Sequence, residues 1–151
     1  MGKLSSKTVS ILEKAGWYTG RRVDINSTVE YLEKKGYEVF ESVKDALEEF
    51  NGLTFRYLEK DDQGQFSIIP QEGLGDLERK HYKRYEVILG KNLVVIGTAY
   101  GDNATIFMDK LGKVYGFHDD YYIWKFGDSI YEAVNNLCEC REFKLIHETA
   151  D

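Results

Sequence analysis

The chain is poor in several things that would have identified it quickly. It has one proline and no Gly/Ser-rich or Ser/Pro-rich stretch, so nothing marks a linker between domains. Its only cysteines, Cys138 and Cys140, are too few for a disulfide scaffold or a structural zinc site. Two residues apart on a helix, they point in different directions and make a poor chelate. No run approaches 18 consecutive apolar residues, which argues against a membrane-spanning helix. The first residues, Met-Gly-Lys-Leu-Ser-Ser, lack the apolar core of a signal peptide. A cytoplasmic location is the expectation.

Positive charge is short too. Twenty Lys and Arg face 26 Asp and Glu, a net charge of -6. A protein that binds nucleic acid regardless of sequence needs a basic face, so that class is disfavoured. The C-terminal part, residues 91–151, carries six basic and ten acidic groups. It is where a positively charged partner would be drawn.

What is present suits one folded domain over residues 1–151. Apolar residues make up 42% of the chain, and 21 residues are aromatic, so disorder is excluded. A first helix is expected over residues 6–15, capped by Ser5 or Ser6, with Val9, Ile11, Leu12 and Ala15 buried. Trp17 either anchors the following loop in the core, the expected use of a tryptophan, or sits on an interface. Ser27-Thr28-Val29-Glu30 reads as a capping box opening a second helix that stops at Gly36. Tyr37–Phe40 is a short extended piece. Ser42 then caps a third helix with Val43, Ala46, Leu47 and Phe50 on one face, ended by Asn51-Gly52.

The middle is β-rich. Leu53–Leu58 and Phe66–Ile69 flank a turn at Asp61–Gly64, and Pro70 ends the second strand. Residues 71–77 read as loop and 78–89 as helix, with a strand at Tyr85–Leu89 the weaker alternative. Leu93–Ile96 suits a central strand. Thr105–Met108 and Lys113–Phe117 flank a tight turn at Asp109–Gly112. Tyr121–Trp124 is a further strand, Gly127-Asp128-Ser129 opens a last helix, and Phe143–Ile146 is a final strand. The class is α+β: helices at both chain ends around a mostly antiparallel sheet.

Catalytic motifs are missing. There is no H-x-x-x-H, H-x-E, C-x-x-C, G-x-S-x-G or phosphate-binding glycine loop. His118-Asp119-Asp120 is the most tempting cluster, but it completes no ligand set. No enzyme activity, cofactor, metal or small-molecule substrate is expected. The other feature is aromatic density: Tyr100, Tyr115, Phe117, Tyr121, Tyr122 and Trp124 fall within 25 residues, interleaved with Asp102, Asp109, Asp119, Asp120 and Asp128. A sheet buries alternate residues, so about half of these rings are core. Exposed tyrosine and tryptophan ringed by acids form a binding surface. The expected partner surface is the Phe117–Tyr122 loop (Phe117, Asp119, Asp120, Tyr121 and Tyr122), with Asp102, Asp61 and Asp62 as outlying acids.

Three segments occur in a familiar order: "AGWYTGRRVDI" (15–25), "LEKKGYEVFESVKDALEEFNGLTF" (32–55) and "VVIGTAYGDNATIFMDKLGKVYGFHDDYYIWKFGDSIYEAVNNL" (94–137). They resemble the SUKH superfamily, in the subgroup that opens with A-G-W followed by G-R. Ala15-Gly16-Trp17 and Gly20-Arg21 match that opening. Phe50-Asn51-Gly52-Leu53 resembles its F-G-G-L, with Asn51 for one glycine. Asp109, Gly112, Val114 and Tyr115 match D-x-x-G-x-V-Y, and Gly127-Asp128-Ser129 its G-D-S. Ala99 stands where the subgroup often has G-E-A. The resemblance implies an immunity protein of bacterial polymorphic toxin systems. Such a protein binds a cognate toxin, often a nuclease or nucleic-acid deaminase, and has no activity of its own. The alternatives are a non-catalytic regulatory or scaffold domain, as in eukaryotic relatives, and a small metal-dependent hydrolase.

Overall fold

A computed structural model describes residues 4–58, 64–101, 103–118 and 122–148. Helices α1 (Ser6–Lys14), α2 (Asn26–Lys34) and α3 (Glu41–Phe50) precede strands β1 (Leu53–Arg56) and β2 (Gln65–Ile68). A short helix α4 (Pro70–Leu74), a 3-10 turn (Arg79–Tyr82) and α5 (Lys83–Leu89) follow. Then come β3 (Leu93–Ala99), β4 (Ala104–Asp109), β5 (Val114–His118), β6 (Tyr122–Gly127), α6 (Ile130–Cys138) and β7 (Lys144–Glu148). The seven described strands form one antiparallel sheet in the order β1-β2-β3-β4-β5-β6-β7. The α+β expectation is met.

Both faces of the sheet are covered, which is why every residue of β3 is buried. On one face Tyr85 of α5 stacks on Phe117 at 3.9 Å, and Tyr82 meets Phe107 edge-on. On the other, Phe50 of α3 packs edge-on against Phe55 of β1 and Tyr131 of α6. Helices α1 and α6 are joined by a buried polar contact. Thr8 donates its hydroxyl to Asn135 Oδ1 at 2.8 Å, and the Ser5 backbone N–H donates to the same oxygen at 3.0 Å.

The Asp109–Gly112 turn forms as the sequence predicts, and its chemistry is specific. Asp109 is buried, and its Oδ1 accepts the backbone N–H groups of Leu111 and Lys113, both at 2.9 Å. Oδ2 accepts from Lys91 Nζ at 3.0 Å and from the Tyr115 hydroxyl at 3.4 Å. Gly112 sits at φ +91°, where a β-branched side chain is strained. Gly112→Val is expected to cost about 1–3 kcal/mol in urea unfolding. An unchanged midpoint would show that the turn tolerates the residue.

Several expectations are corrected. The second helix has no capping box: it starts at Asn26, whose N–H is taken by Asp24 Oδ1, and no side chain caps it. Thr28 is instead buried and accepts from Asn51 Nδ2. Ser42 does not cap α3, which begins one residue earlier; its hydroxyl donates to the Asp109 carbonyl. Asn51 has φ -58°, so positive φ falls to Gly52 alone. Residues 71–77 are not all loop, because Pro70 opens α4. The 78–89 helix divides into a 3-10 turn and α5. In α1 the fully buried positions are Thr8 and Leu12, while Val9, Ile11 and Ala15 are half-buried. Strands β6 and β7 run later than expected, to Gly127 and Glu148. Most of the Asp61–Gly64 turn lies outside the described residues.

Candidate functional site

The up-and-down order of the sheet puts the β1–β2, β3–β4 and β5–β6 connections at one end. Ala99 pairs with Phe66 and Ala104, Ala104 with His118, and His118 with Tyr122, so these strand termini stand in a row. The Gly101 N–H donates to the Gln65 carbonyl at 3.2 Å, tying two of the hairpins together. The expected partner residues Asp61, Asp62, Asp102, Asp119, Asp120 and Tyr121 belong to these three connections in sequence, and they lie outside the described residues. Residues 59–63, 102 and 119–121 hold six carboxylates and one lysine. They therefore contribute -5 of the chain's net charge of -6.

Of the expected contact residues, Phe117 and Tyr122 are described. Phe117 is only 4% exposed, held between Tyr85 and Phe107. It supports the end of the sheet from inside. Tyr122 is half-buried, with its ring tilted against Trp124 at 6.0 Å. Tyr115 is core as well, while Tyr100 and Trp124 keep part of their surface open.

Those open rings line a groove of about 570 Å³ at this end. Its walls are Tyr100, His118, Trp124, Arg141, Glu142 and Phe143. Tyr100 stands edge-on to His118 and Phe126, and Phe143 covers Phe126 at 4.5 Å. Burial pushes the Tyr100 hydroxyl up to about 12. Among the described residues, two that are not glycine have positive φ: Tyr100 at 53° and Cys140 at 56°. Tyr100 belongs to the groove wall, and Cys140 precedes Arg141. Strain of this kind concentrates where function needs a side chain placed. Sequence reasoning missed Arg141, Glu142 and Phe143, which reach the site because the chain turns back after α6.

The cysteines beside this groove differ sharply. Cys138 is fully buried and burial pushes its thiol up to about 12, whereas Cys140 is exposed. A thiolate-specific reagent should label one thiol quickly, at Cys140, and the second only after denaturation. Rapid labelling of two thiols in the native protein would contradict this burial.

A second groove, of about 630 Å³, lies among the residues that resemble the A-G-W and G-R motifs. There the side chains are spent on one another. Trp17 donates its indole N–H to Glu49 Oε2 at 2.9 Å, and the Tyr131 hydroxyl donates to Glu49 Oε1. Arg21 donates to the backbone carbonyls of Glu49 and Asn51, closing the C-terminal end of α3. The motif thus fastens the loop after α1 to α3 and α6. No three His, Cys, Asp or Glu side chains gather as metal ligands among the described residues. Nor is any described helix long and apolar enough to cross a membrane.

No curated protein and no solved structure gives a significant match to the chain. The model of the SUKH-3 immunity protein family matches residues 4–140. That span runs from the residue before the Ser5 cap of α1 to Cys140, just past α6, and includes the Trp17–Arg21 loop, the Asp109 turn and the Gly127-Asp128-Ser129 helix start. With all but the last strand of its sheet and most of its length inside that match, the chain belongs to the SUKH-3 immunity protein family.

Proposed function

We propose that this protein neutralises a cognate toxin of a bacterial polymorphic toxin system by binding it, without catalysis, in the cytoplasm. The toxin is a basic domain acting on nucleic acid, a nuclease or a deaminase. The hairpin end of the sheet, with Asp61, Asp62, Asp102, Asp119, Asp120, Tyr121 and Tyr122, is the contact surface. What supports this reading is that the strand order brings the termini flanking the β1–β2, β3–β4 and β5–β6 connections to one end of the sheet, beside open aromatic rings, and that the sequence between those termini holds six carboxylates. Acid concentrated in one place steers a basic partner and speeds encounter. Desolvated aromatic rings then govern dissociation. Phe117 contributes by holding the end in shape.

The test is protection of cells expressing the toxin encoded beside this gene. Asp119→Lys with Asp120→Lys should leave the melting temperature within a few degrees and abolish protection. Full protection with unchanged toxin affinity in that double variant would remove the hairpin end from the interface.

A further inference from the structure

We infer that the groove between Trp124, Tyr100 and Phe143 is a receptor for an arginine side chain of a basic protein partner. The inference rests on the proposed contact surface and gives its ligand chemistry.

The walls are aromatic. Trp124 lies half-open in β6, Tyr122 flanks it, and Tyr100 and Phe143 close the groove on the side of α6. Such rings carry negative faces and attract a cation placed over them. A planar guanidinium also stacks on them, which an ammonium cannot do. Glu142 is exposed at the rim and can accept from the guanidinium N–H groups. The chain's net charge of -6 sets the sign of the approaching partner.

Two groups in the groove carry the opposite tendency. Arg141 donates to Asn136 Oδ1 at 3.1 Å, so its guanidinium is held back against α6. His118 stands edge-on to Tyr100 on the sheet side. An acidic peptide would be the ligand if these two dominated, and it is therefore the decisive control.

The experiment uses the full chain, labelled with nitrogen-15, and three probes: hexa-arginine, hexalysine and hexaglutamate. The two tryptophan indole N–H signals report separately. Trp17 is bonded to Glu49, away from the groove, and serves as the internal reference. Hexa-arginine should shift the Trp124 signal in a saturable way and leave Trp17 still. Trp124→Leu should weaken hexa-arginine binding about fivefold, within the range of a cation–aromatic contact. Glu142→Gln, an exposed change that leaves the fold alone, should weaken it about twofold to threefold. The inference is overturned if the Trp124 signal stays put, if hexalysine binds as tightly as hexa-arginine, or if hexaglutamate moves the signal. Unchanged affinity in both variants overturns it too. Because no toxin is present, failure here is separable from failure of the protection assay.

Discussion

Gly97→Ala is expected to be the most damaging single methyl group that can be added to this protein. Gly97 lies in the all-buried strand β3, at a register shift against β4. A Cβ there would overlap the Ser67 carbonyl oxygen of β2, which is backbone and cannot swing away. The other side is tight as well, because a Cβ on Gly73 of α4 would meet Val95 Cγ1 at 2.7 Å and the Gly97 carbonyl oxygen at 2.8 Å. Adding the methyl group must push two neighbouring strands apart in the middle of the sheet. The loss should be about 4 kcal/mol, enough to leave much of the chain unfolded or aggregated at 37 °C. Gly20→Ala is the comparison: nothing lies within 4 Å of its Cβ position, and only its φ of +83° is at stake. That change should cost about 1 kcal/mol. Similar urea midpoints for the two variants would refute the close approach at Gly97.

Asp109→Ala should cost about 2–4 kcal/mol, through a different cause. The carboxylate is buried and holds two backbone N–H groups of its own turn. Removing it leaves both N–H groups without that partner, and Lys91 without its ion pair at 3.0 Å. Lys91 is about one-third exposed, so water can recover part of its loss, which places the figure below that for a fully buried pair. Asp109→Asn keeps an oxygen for the turn and loses the charge facing Lys91. It should therefore recover roughly half of the lost stability. If alanine and asparagine cost the same, the ion pair with Lys91 matters more than the turn.

The elements that the sequence announces reliably are those whose cause is local. The Asp109–Gly112 turn, the apolar stripe of α3, the Ser129 cap of α6 and the continuous apolar run of β3 each follow from residues a few positions apart. Ser129 accepts the Glu132 N–H at 3.1 Å, as its position before a helix predicts. Expectations fail where a distant contact outbids the local one. Ser42 resembles a capping residue, but it reaches the Asp109 turn. Ser27 heads a capping-box pattern, but the helix has already begun one residue earlier, at Asn26. Helix α4 has a glycine inside it, a poor choice locally, and the choice makes sense only beside β3.

The candidate site divides in the same way. That acids and tyrosines cluster after His118 is visible in the chain. That Asp61, Asp102 and Asp119 belong to connections at one end of one sheet is not, because it depends on strand order. Phe117 shows the limit of period-two reasoning: its parity decides which face it joins, but not that Tyr85 will cover that face. Phe143 could not have been found from periodicity at all, since it arrives after a helix and packs on Phe126.

The hairpin layout has a consequence for how such a protein can change. The devices that specify the fold stand toward the other end of the sheet: the Asp109 turn, the Gly127–Ser129 helix start, and the link through α4 and α5. Opposite them, three connections join strands whose register is already fixed by pairing and by the core. Changes in those connections that lie more than about 10 Å from a core position should combine almost additively with changes there. Loop lengthening is itself cheap, about 0.6 kcal/mol for each doubling. If the contact surface is the proposed one, a single scaffold would be refitted to a new partner by editing three short segments between strands whose register is set elsewhere.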